Sequence, residues 1–547
     1  MSQSLPSTSS AHTPSPAWRR VMVAMLVALW LLRLPSLAQP MAADQSLYAY
    51  AGQQLAAGHA PYAAAWDQKP PGIHVVYSVL WSVWPHESVV PIADMAAAGL
   101  VAVLLVVIGR RRFTEGVGLG AAAVFLFFAN PSLVQRMSGV FVRAQCETFI
   151  ALAIAMAMAL VAAERRKTWH VIVVGLLLGC AFWLKYNAAA YGLAVIVGLM
   201  VWPRDGEPSW RSGLRDIRWV TGAGALTVVL PVLAMGAAGV WQDLHLATVT
   251  YNIAYSGETF QGTSPLGYLV AFPIERARND ALWMLGGVGA ILATVRWIRA
   301  PLSAPALCDV VILSWVAASC LSILINGARE LPQYFVQAAP ALAMMTALGL
   351  APLLSNWRAR PLVPVAMMAV LVAACLRPGE SGHLPKLIEN TRDDWSALTG
   401  STDRPTYLAR FGGRDRDKFV AREVEDLATS IKATTAPTDA IYIFGYSPGV
   451  LLKSERRSAS RFHWSRPVVI EFASGTPGYG SDALLADLAR ERPAVVALQK
   501  QDWGRGDQTV EAHSSVFFHR TPTLETWLTS GYALERETPL YEVWRRR

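Results

Sequence analysis

From about residue 18 to residue 377 the chain is one succession of apolar runs. Several approach the roughly 20 residues that an α-helix needs to cross a bilayer. In hydrocarbon a backbone has no water to bond, so such runs fold as helices that satisfy their own amide groups. Composition agrees: 53% of residues are hydrophobic and only 16% are charged, whereas a soluble domain averages about 25% charged. The chain therefore reads as a mainly α polytopic membrane protein. Eleven runs are read as spans: 18–37, 89–109, 115–131, 147–163, 168–184, 186–202, 219–240, 281–298, 308–325, 334–354 and 361–377. Segment 73–84 (IHVVYSVLWSVW) is too short to span and reads as a re-entrant or interfacial helix.

Charge orients these spans. The net charge of +9 does not read as a nucleic-acid footprint, because the cations sit between apolar runs, where they set topology. With the N-terminus inside, the cytoplasmic side carries Arg19, Arg20, Arg110–Arg112, Arg165–Lys167, Arg204, Arg211, Arg215, Arg218, Arg296, Arg299, Arg358 and Arg360. That is twice the outer set of Lys69, Arg136, Arg143, Lys185, Arg276, Arg278, Arg329 and Arg377. Counting 73–84 as a span would move Arg110–Arg112 outside, so the charges favour eleven spans. Residues 1–17, rich in Ser, Pro and Thr, read as a disordered cytoplasmic tail. The long run after Arg20 lacks the small-residue cleavage site of a secretory signal. Outer loops are expected at 38–88, 131–147, 241–280 and 326–333.

After Pro378 charged residues become frequent, and residues 380–547 read as a soluble α/β domain that an odd span count places outside. Strands are expected at 440–445, 494–498 and 540–545, and helices at 418–433 and 481–490. No catalytic motif is visible there. The five cysteines, Cys146, Cys180, Cys308, Cys320 and Cys375, lie in or beside apolar runs with no CxxC pattern. Neither a disulfide framework nor a zinc site is expected from them.

The outer loops concentrate polar chemistry. In the first, Asp44 precedes a helical stretch carrying Leu47, Tyr48, Ala51 and Leu55, and Gly58 suits its end. Tyr62, Asp67, Lys69 and Pro70-Pro71 follow, the prolines fixing the chain just before segment 73–84. Asp44 reads either as a helix cap or as a chemical carboxylate, and Lys69 either as an interface anchor or as a ligand cation. The second loop holds Arg136, Arg143, Gln145 and Glu147. A carboxylate at the membrane boundary is costly unless paired or functional, and Arg143, one turn earlier, suits Glu147 as a partner. Lys185 reads as a tight outer turn or as a cation aimed at an anionic headgroup. Asn252, Tyr255 and Glu258 lie in a third outer segment, with Arg329, Glu330, Gln333 and Tyr334 in a fourth. Such a mixture suits a phosphate ester joined to a sugar: cations offset phosphate charge, while amides and hydroxyls read the sugar.

Several stretches resemble the GT-C glycosyltransferases of family 39, the protein O-mannosyltransferases and lipid A aminoarabinose transferases. They are Asp44…Tyr48-Ala49-Tyr50…Gly58-His59-Ala60-Pro61-Tyr62, then Asp67-Gln68-Lys69-Pro70-Pro71-Gly72 against the family's D-x-K-P-P-G element, Gly175–Asn187, and Pro332–Pro340. The likeness covers most of residues 30–350. A weaker one continues through Asp439–Gly449 and Arg461–Trp464. The resemblance implies a GT-C-like membrane domain over 18–379. It also implies transfer of a sugar from a polyprenyl-phosphate carrier to an acceptor hydroxyl on the outer face, with inversion. Asp44 matches the base, Lys69 the cation on the carrier phosphate, and Glu147 the second acid; Arg143 and Lys185 are weaker phosphate candidates. Asp67, Tyr62, Asn252, Tyr255, Arg329, Glu330 and Tyr334 complete the expected substrate-binding set.

This chain departs from the pattern at Asp44-Gln45, where many members have Asp-Glu, and at Gln333-Tyr334, where His-Tyr is frequent. The first departure bears on any metal site, so a divalent cation stays open and no cofactor is assigned. The acceptor is a lipid, a glycan or a protein. The competing readings are a lipid-linked glycan transporter or flippase and a non-catalytic membrane scaffold. A transporter expects charges near the bilayer midplane, whereas the few that stand out within the spans, Arg33, Asp94 and Asp309, are near predicted ends or isolated.

Overall fold

The computed structural model describes residues 16–133, 139–202, 209–260, 262–329, 331–355, 372–373, 375–376, 383–412, 419–503 and 512–547. The expected span 361–377 falls almost wholly outside these residues, as do Arg136 and Glu330. The apolar runs fold as helices. Pro16–Ala38, Val89–Arg112, Trp210–Ala237, Ala281–Arg299 and Ala304–Ile325 are long and apolar enough to cross a membrane. Shorter apolar helices pack among them: Glu115–Phe128, Cys146–Val161, Thr168–Leu184, Tyr186–Val201 and Ala339–Ala351. Large apolar side chains point outward, Leu233 being 62% and Ile291 65% exposed. That inversion of the soluble rule fits a lipid-facing surface. Helix Thr168–Leu184 lies along Ser209–Ala237. A Cβ on Gly175 would stand 2.5 Å from the Val220 carbonyl, so small residues set this close approach.

The charges inside the spans are paired. Arg33 meets Asp94 at 2.7 Å and also donates to the Ala129 carbonyl. Asp309 accepts from Arg296 at 2.7 Å, and Arg166 meets Asp216 at 2.9 Å with both side chains fully buried. A buried charge needs such a partner. At one end of the bundle, basic side chains cap carbonyls: Arg111 on Ala159, Arg112 on Ala162 and Ala163, and Arg166 on Val161 and Trp202. Glu147 and Lys185 lie at the opposite ends of helices Cys146–Val161 and Thr168–Leu184 from these cations.

Segment 72–84 forms the helix Gly72–Val83, with Val75, Val79 and Val83 exposed along one stripe. The C-terminal region carries a five-stranded sheet. Its strands are β1 (Ala440–Phe444), β2 (Arg457–Ser458), β3 (Val495–Gln499), β4 (Tyr532–Glu537) and β5 (Tyr541–Arg546), in the order β2-β1-β3-β5-β4. β1 runs parallel to β2 and β3, whereas β5 runs antiparallel to β3 and β4. β1 and β3 are buried at every position, which explains their unbroken apolar sequences. Helices Ala421–Thr434 and Gly480–Glu491 fall where the apolar spacing puts them.

This domain seats on the helix bundle through polar contacts. Gln39 donates to Asp394 at 3.1 Å, and Asn390 donates to the Ser132 carbonyl at 2.8 Å. Glu87 accepts from Arg404 and from Lys453, the latter at 2.9 Å, and Glu425 closes the cluster at 3.0 and 3.1 Å. Burial alone would raise the Glu87 pKa, but the charges of Lys453 and Arg404 hold it below the usual carboxylate range.

Candidate active site

The site forms where the loop after the first membrane-crossing helix meets the C-terminal region. Asp44 stands in the first turn of helix Ala43–Ala56, where the helix dipole favours a negative charge. Tyr446 of the C-terminal domain donates its hydroxyl to Asp44 Oδ1. The adjacent Gln45 is fully buried and uses both ends of its carboxamide. Its Oε1 accepts from Ala42 N at 2.8 Å, and its Nε2 donates to the Arg143 carbonyl at 2.8 Å. An amide is required there, since a carboxylate has no hydrogen to give that carbonyl.

Residues 62–72 are held on all sides. The Tyr62 hydroxyl donates to the Lys69 carbonyl at 3.0 Å, and Tyr62 itself sits at φ 66. Asn252 donates to the Gln68 carbonyl at 2.7 Å. Trp66, fully buried, donates its N–H to the Arg461 carbonyl at 2.8 Å and accepts from the Trp464 indole at 3.0 Å. Gly72 passes so near helix Thr168–Leu184 that a Cβ would lie 2.5 Å from the Trp183 carbonyl. Lys69 is thereby fixed as a partly buried cation. Burial pulls its pKa down, but the acidic groups around it, Cys146 first, then Asp67, Tyr255 and Asp44, outweigh that and hold the ammonium above its usual value.

Asp67 is buried and accepts from His74 at 2.9 Å. Burial pushes its carboxyl up, and the bond and charge from His74 prevail and keep it below the usual range. Tyr48 lies among these groups, 5.6 Å from the Tyr77 ring and 6.4 Å from His74 between centroids. Burial, then the charges of Asp44, Asp67 and Glu147, push its phenol well above the usual value, so it remains protonated.

Two expectations need correction. Arg143 does not pair with Glu147. Ala144 takes φ 46 and turns the chain, so that the buried Arg143 guanidinium donates to the Ser36 carbonyl at 2.6 Å and to that of Pro40 at 3.1 Å. It braces the first loop. Lys185 is not a loop tip either. It is 7% exposed, meets Glu147 Oε1 at 2.5 Å and lies 4.3 Å from the centre of the Tyr334 ring. Helix Thr168–Leu184 ends there and a 3₁₀ turn over Tyr186–Tyr191 takes over, which carries the lysine inward.

The remaining candidates form a second cluster. The Arg329 guanidinium lies 3.7 Å from the Tyr255 ring centre, with Arg466 of the C-terminal domain 5.3 Å from the same ring. Arg466 donates to the Tyr251 hydroxyl. Asp243 accepts from Arg461 at 3.0 Å and from Tyr479 at 2.6 Å. Tyr446, Arg461, Trp464 and Arg466 were not among the sequence candidates. The signal for the first three was the faint family likeness of 439–449 and 461–464.

Each described carboxylate of the central site has a proton donor: Asp44 has Tyr446, Asp67 has His74 and Glu147 has Lys185. No three His, Cys, Asp or Glu side chains converge among the described residues.

Residues 68–235 match the family described as dolichyl-phosphate-mannose-protein mannosyltransferase. Among solved structures, the chain resembles that of ArnT from Cupriavidus metallidurans bound to undecaprenyl phosphate. Identity is 15%, covering 97% of this chain and 98% of that one, with a TM-score of 0.59. It also resembles the apo oligosaccharyltransferase of Archaeoglobus fulgidus, at 10% identity over 89% of this chain and 70% of that one, with a TM-score of 0.50. No curated protein matches the sequence. The apolar helices, the family match over residues 68–235 and the full-length structural likeness make this chain a multi-pass membrane protein with the GT-C fold.

Proposed function

We propose that this protein moves a sugar from a polyprenyl-phosphate carrier to an acceptor hydroxyl on the outer face of the cytoplasmic membrane. The observation that carries this reading is Asp44, held in the first turn of its helix by the Tyr446 hydroxyl, followed by a loop in which Tyr62 and Asn252 pin the backbone on either side of Lys69. The cations at the opposite end of the bundle support the orientation, by the positive-inside rule. The bound lipid in the ArnT structure supports the carrier class.

In this mechanism the acceptor oxygen attacks the anomeric carbon from the face opposite the phosphate, and its proton passes to Asp44. The bond between the anomeric carbon and the phosphate oxygen breaks, and its electron pair leaves with the polyprenyl phosphate. Lys69 offsets the charge that grows on that oxygen, where electrostatic stabilisation acts most strongly. Lys185, beside Glu147, supplies a second cation, and Glu147 orients the sugar or the acceptor. Inversion follows from a single displacement.

The test uses purified protein in lipid nanodiscs, a panel of radiolabelled polyprenyl-phosphate sugars and cell-envelope extract as acceptor. Asp44→Asn is expected to lower polyprenyl-phosphate release by about 10²–10⁴-fold while donor binding persists. Release by Asp44→Asn at the wild-type rate overturns the reading.

A further inference from the structure

The base lies on the membrane domain, yet its hydrogen-bond donor comes from 402 residues away. We propose that Tyr446 of the C-terminal domain is a positioning residue that sets the orientation of Asp44, so that the base is correctly aimed only when that domain is seated. This rests on the reading of Asp44 as the base.

Tyr446 is unusually well fixed for a residue just past a strand. It follows β1, and its backbone N–H donates to Gln499 Oε1 at 2.7 Å, at the end of the neighbouring parallel strand β3. Ser447 Oγ donates to the same oxygen at 2.9 Å. Gly445 lets this crossing happen, since a Cβ there would stand 2.4 Å from the Gln499 side chain. The Tyr446 ring is 6% exposed and packs against Trp503 at 5.3 Å and Trp464 at 6.2 Å between centroids. Three residues on, Gly449 touches the same first turn that carries Asp44: a Cβ there would lie 3.1 Å from Ser46 Oγ. The segment that leaves the C-terminal end of β1 is thus pressed against the start of helix Ala43–Ala56.

A carboxylate has two broad rotations of its own. Holding Oδ1 with a fixed phenol removes that freedom and sets the plane of the group. The plane decides the direction from which Asp44 can take a proton. A base 1 Å out of place can cost about 10²-fold in rate, so this restraint bears on turnover rather than on carrier binding.

The experiment measures single-turnover and steady-state release in nanodiscs for wild type, Tyr446→Phe, Asp44→Asn and the double variant. Phenylalanine keeps the packing on both tryptophans. The expected result is a kcat for Tyr446→Phe lowered by about 10- to 100-fold, an unchanged donor KM and no further loss on adding Tyr446→Phe to Asp44→Asn. Gln499→Ala loosens the Tyr446 backbone with the phenol retained, and should lower kcat by a smaller factor, again without moving KM. A wild-type kcat in Tyr446→Phe beside an inactive Asp44→Asn overturns the positioning role and leaves the base intact. Additive losses in the double variant overturn it as well. Wild-type rates in Asp44→Asn overturn the base reading itself.

Discussion

Lys185 and Glu147 form a buried ion pair at 2.5 Å, with side chains 8% and 1% exposed. Removing one member of such a pair strands the other charge, at a cost of about 3–5 kcal/mol. Replacing both by neutral groups of similar shape costs much less. Glu147→Gln and Lys185→Met are therefore each expected to lower the Tm strongly, and the double variant to recover part of the loss. Thermal unfolding of the three variants in detergent checks this. Additive losses would show that the pair contributes no coupling.

Gln45 explains the departure from an acidic pair at this position. Its Oε1 serves Ala42 N and its Nε2 serves the Arg143 carbonyl. Gln45→Glu keeps the first bond and sets an oxygen against the second. An unsatisfied buried carbonyl costs about 1–3 kcal/mol. The variant should unfold earlier than wild type at neutral pH, measured by thermal shift. Equal stability would mean that the Arg143 carbonyl finds another donor.

Gly72 brings the Lys69 loop against the end of helix Thr168–Leu184, next to Lys185. The obstacle to a side chain there is the Trp183 backbone, which cannot swing aside. Gly72→Ala is expected to push the loop away, with overpacking costing about 1–3 kcal/mol and donor KM rising as Lys69 shifts. Donor binding and thermal unfolding on the same preparation separate the two effects. An unchanged KM would place the carrier phosphate away from Lys69.

The bundle was legible in the sequence because lipid permits so few backbone solutions. The interior strands were legible for a related reason: 440–445 and 494–498 carry apolar runs because β1 and β3 are buried throughout, and 540–545 alternates because β5 buries Tyr541 and Val543. β4 escaped, because as an edge strand it is exposed at five of six positions and reads YALERE. Asp44, Asp67 and Lys69 stand out in the sequence because one short loop carries all three. The partners do not. Glu147 had Arg143 nearby on a helical count, but Ala144 at φ 46 breaks that count and Lys185 takes the place. Tyr446 lies in a different domain from Asp44, and nothing in one-dimensional spacing reports a contact across 402 residues.

The C-terminal domain should weaken on alkalinisation, and His519 locates the reason. Its Nε2 lies 2.7 Å from Glu542 on β5, and its Nδ1 lies 2.6 Å from Glu525 on helix Pro522–Gly531. The bond to Glu542 comes first, followed by that to Glu525; against the opposing effect of burial they raise its pKa to about 9. The unfolded value is about 6.5. A group whose folded pKa is raised adds stability that is complete below the unfolded value and disappears as pH climbs through the folded one. The stabilising window therefore closes between about pH 6.5 and pH 9. His519→Gln should cost the most at pH 6 and little above the folded pKa. The check is the Tm difference between wild type and His519→Gln at the two ends of that range. A difference independent of pH would mean that the histidine acts through packing alone.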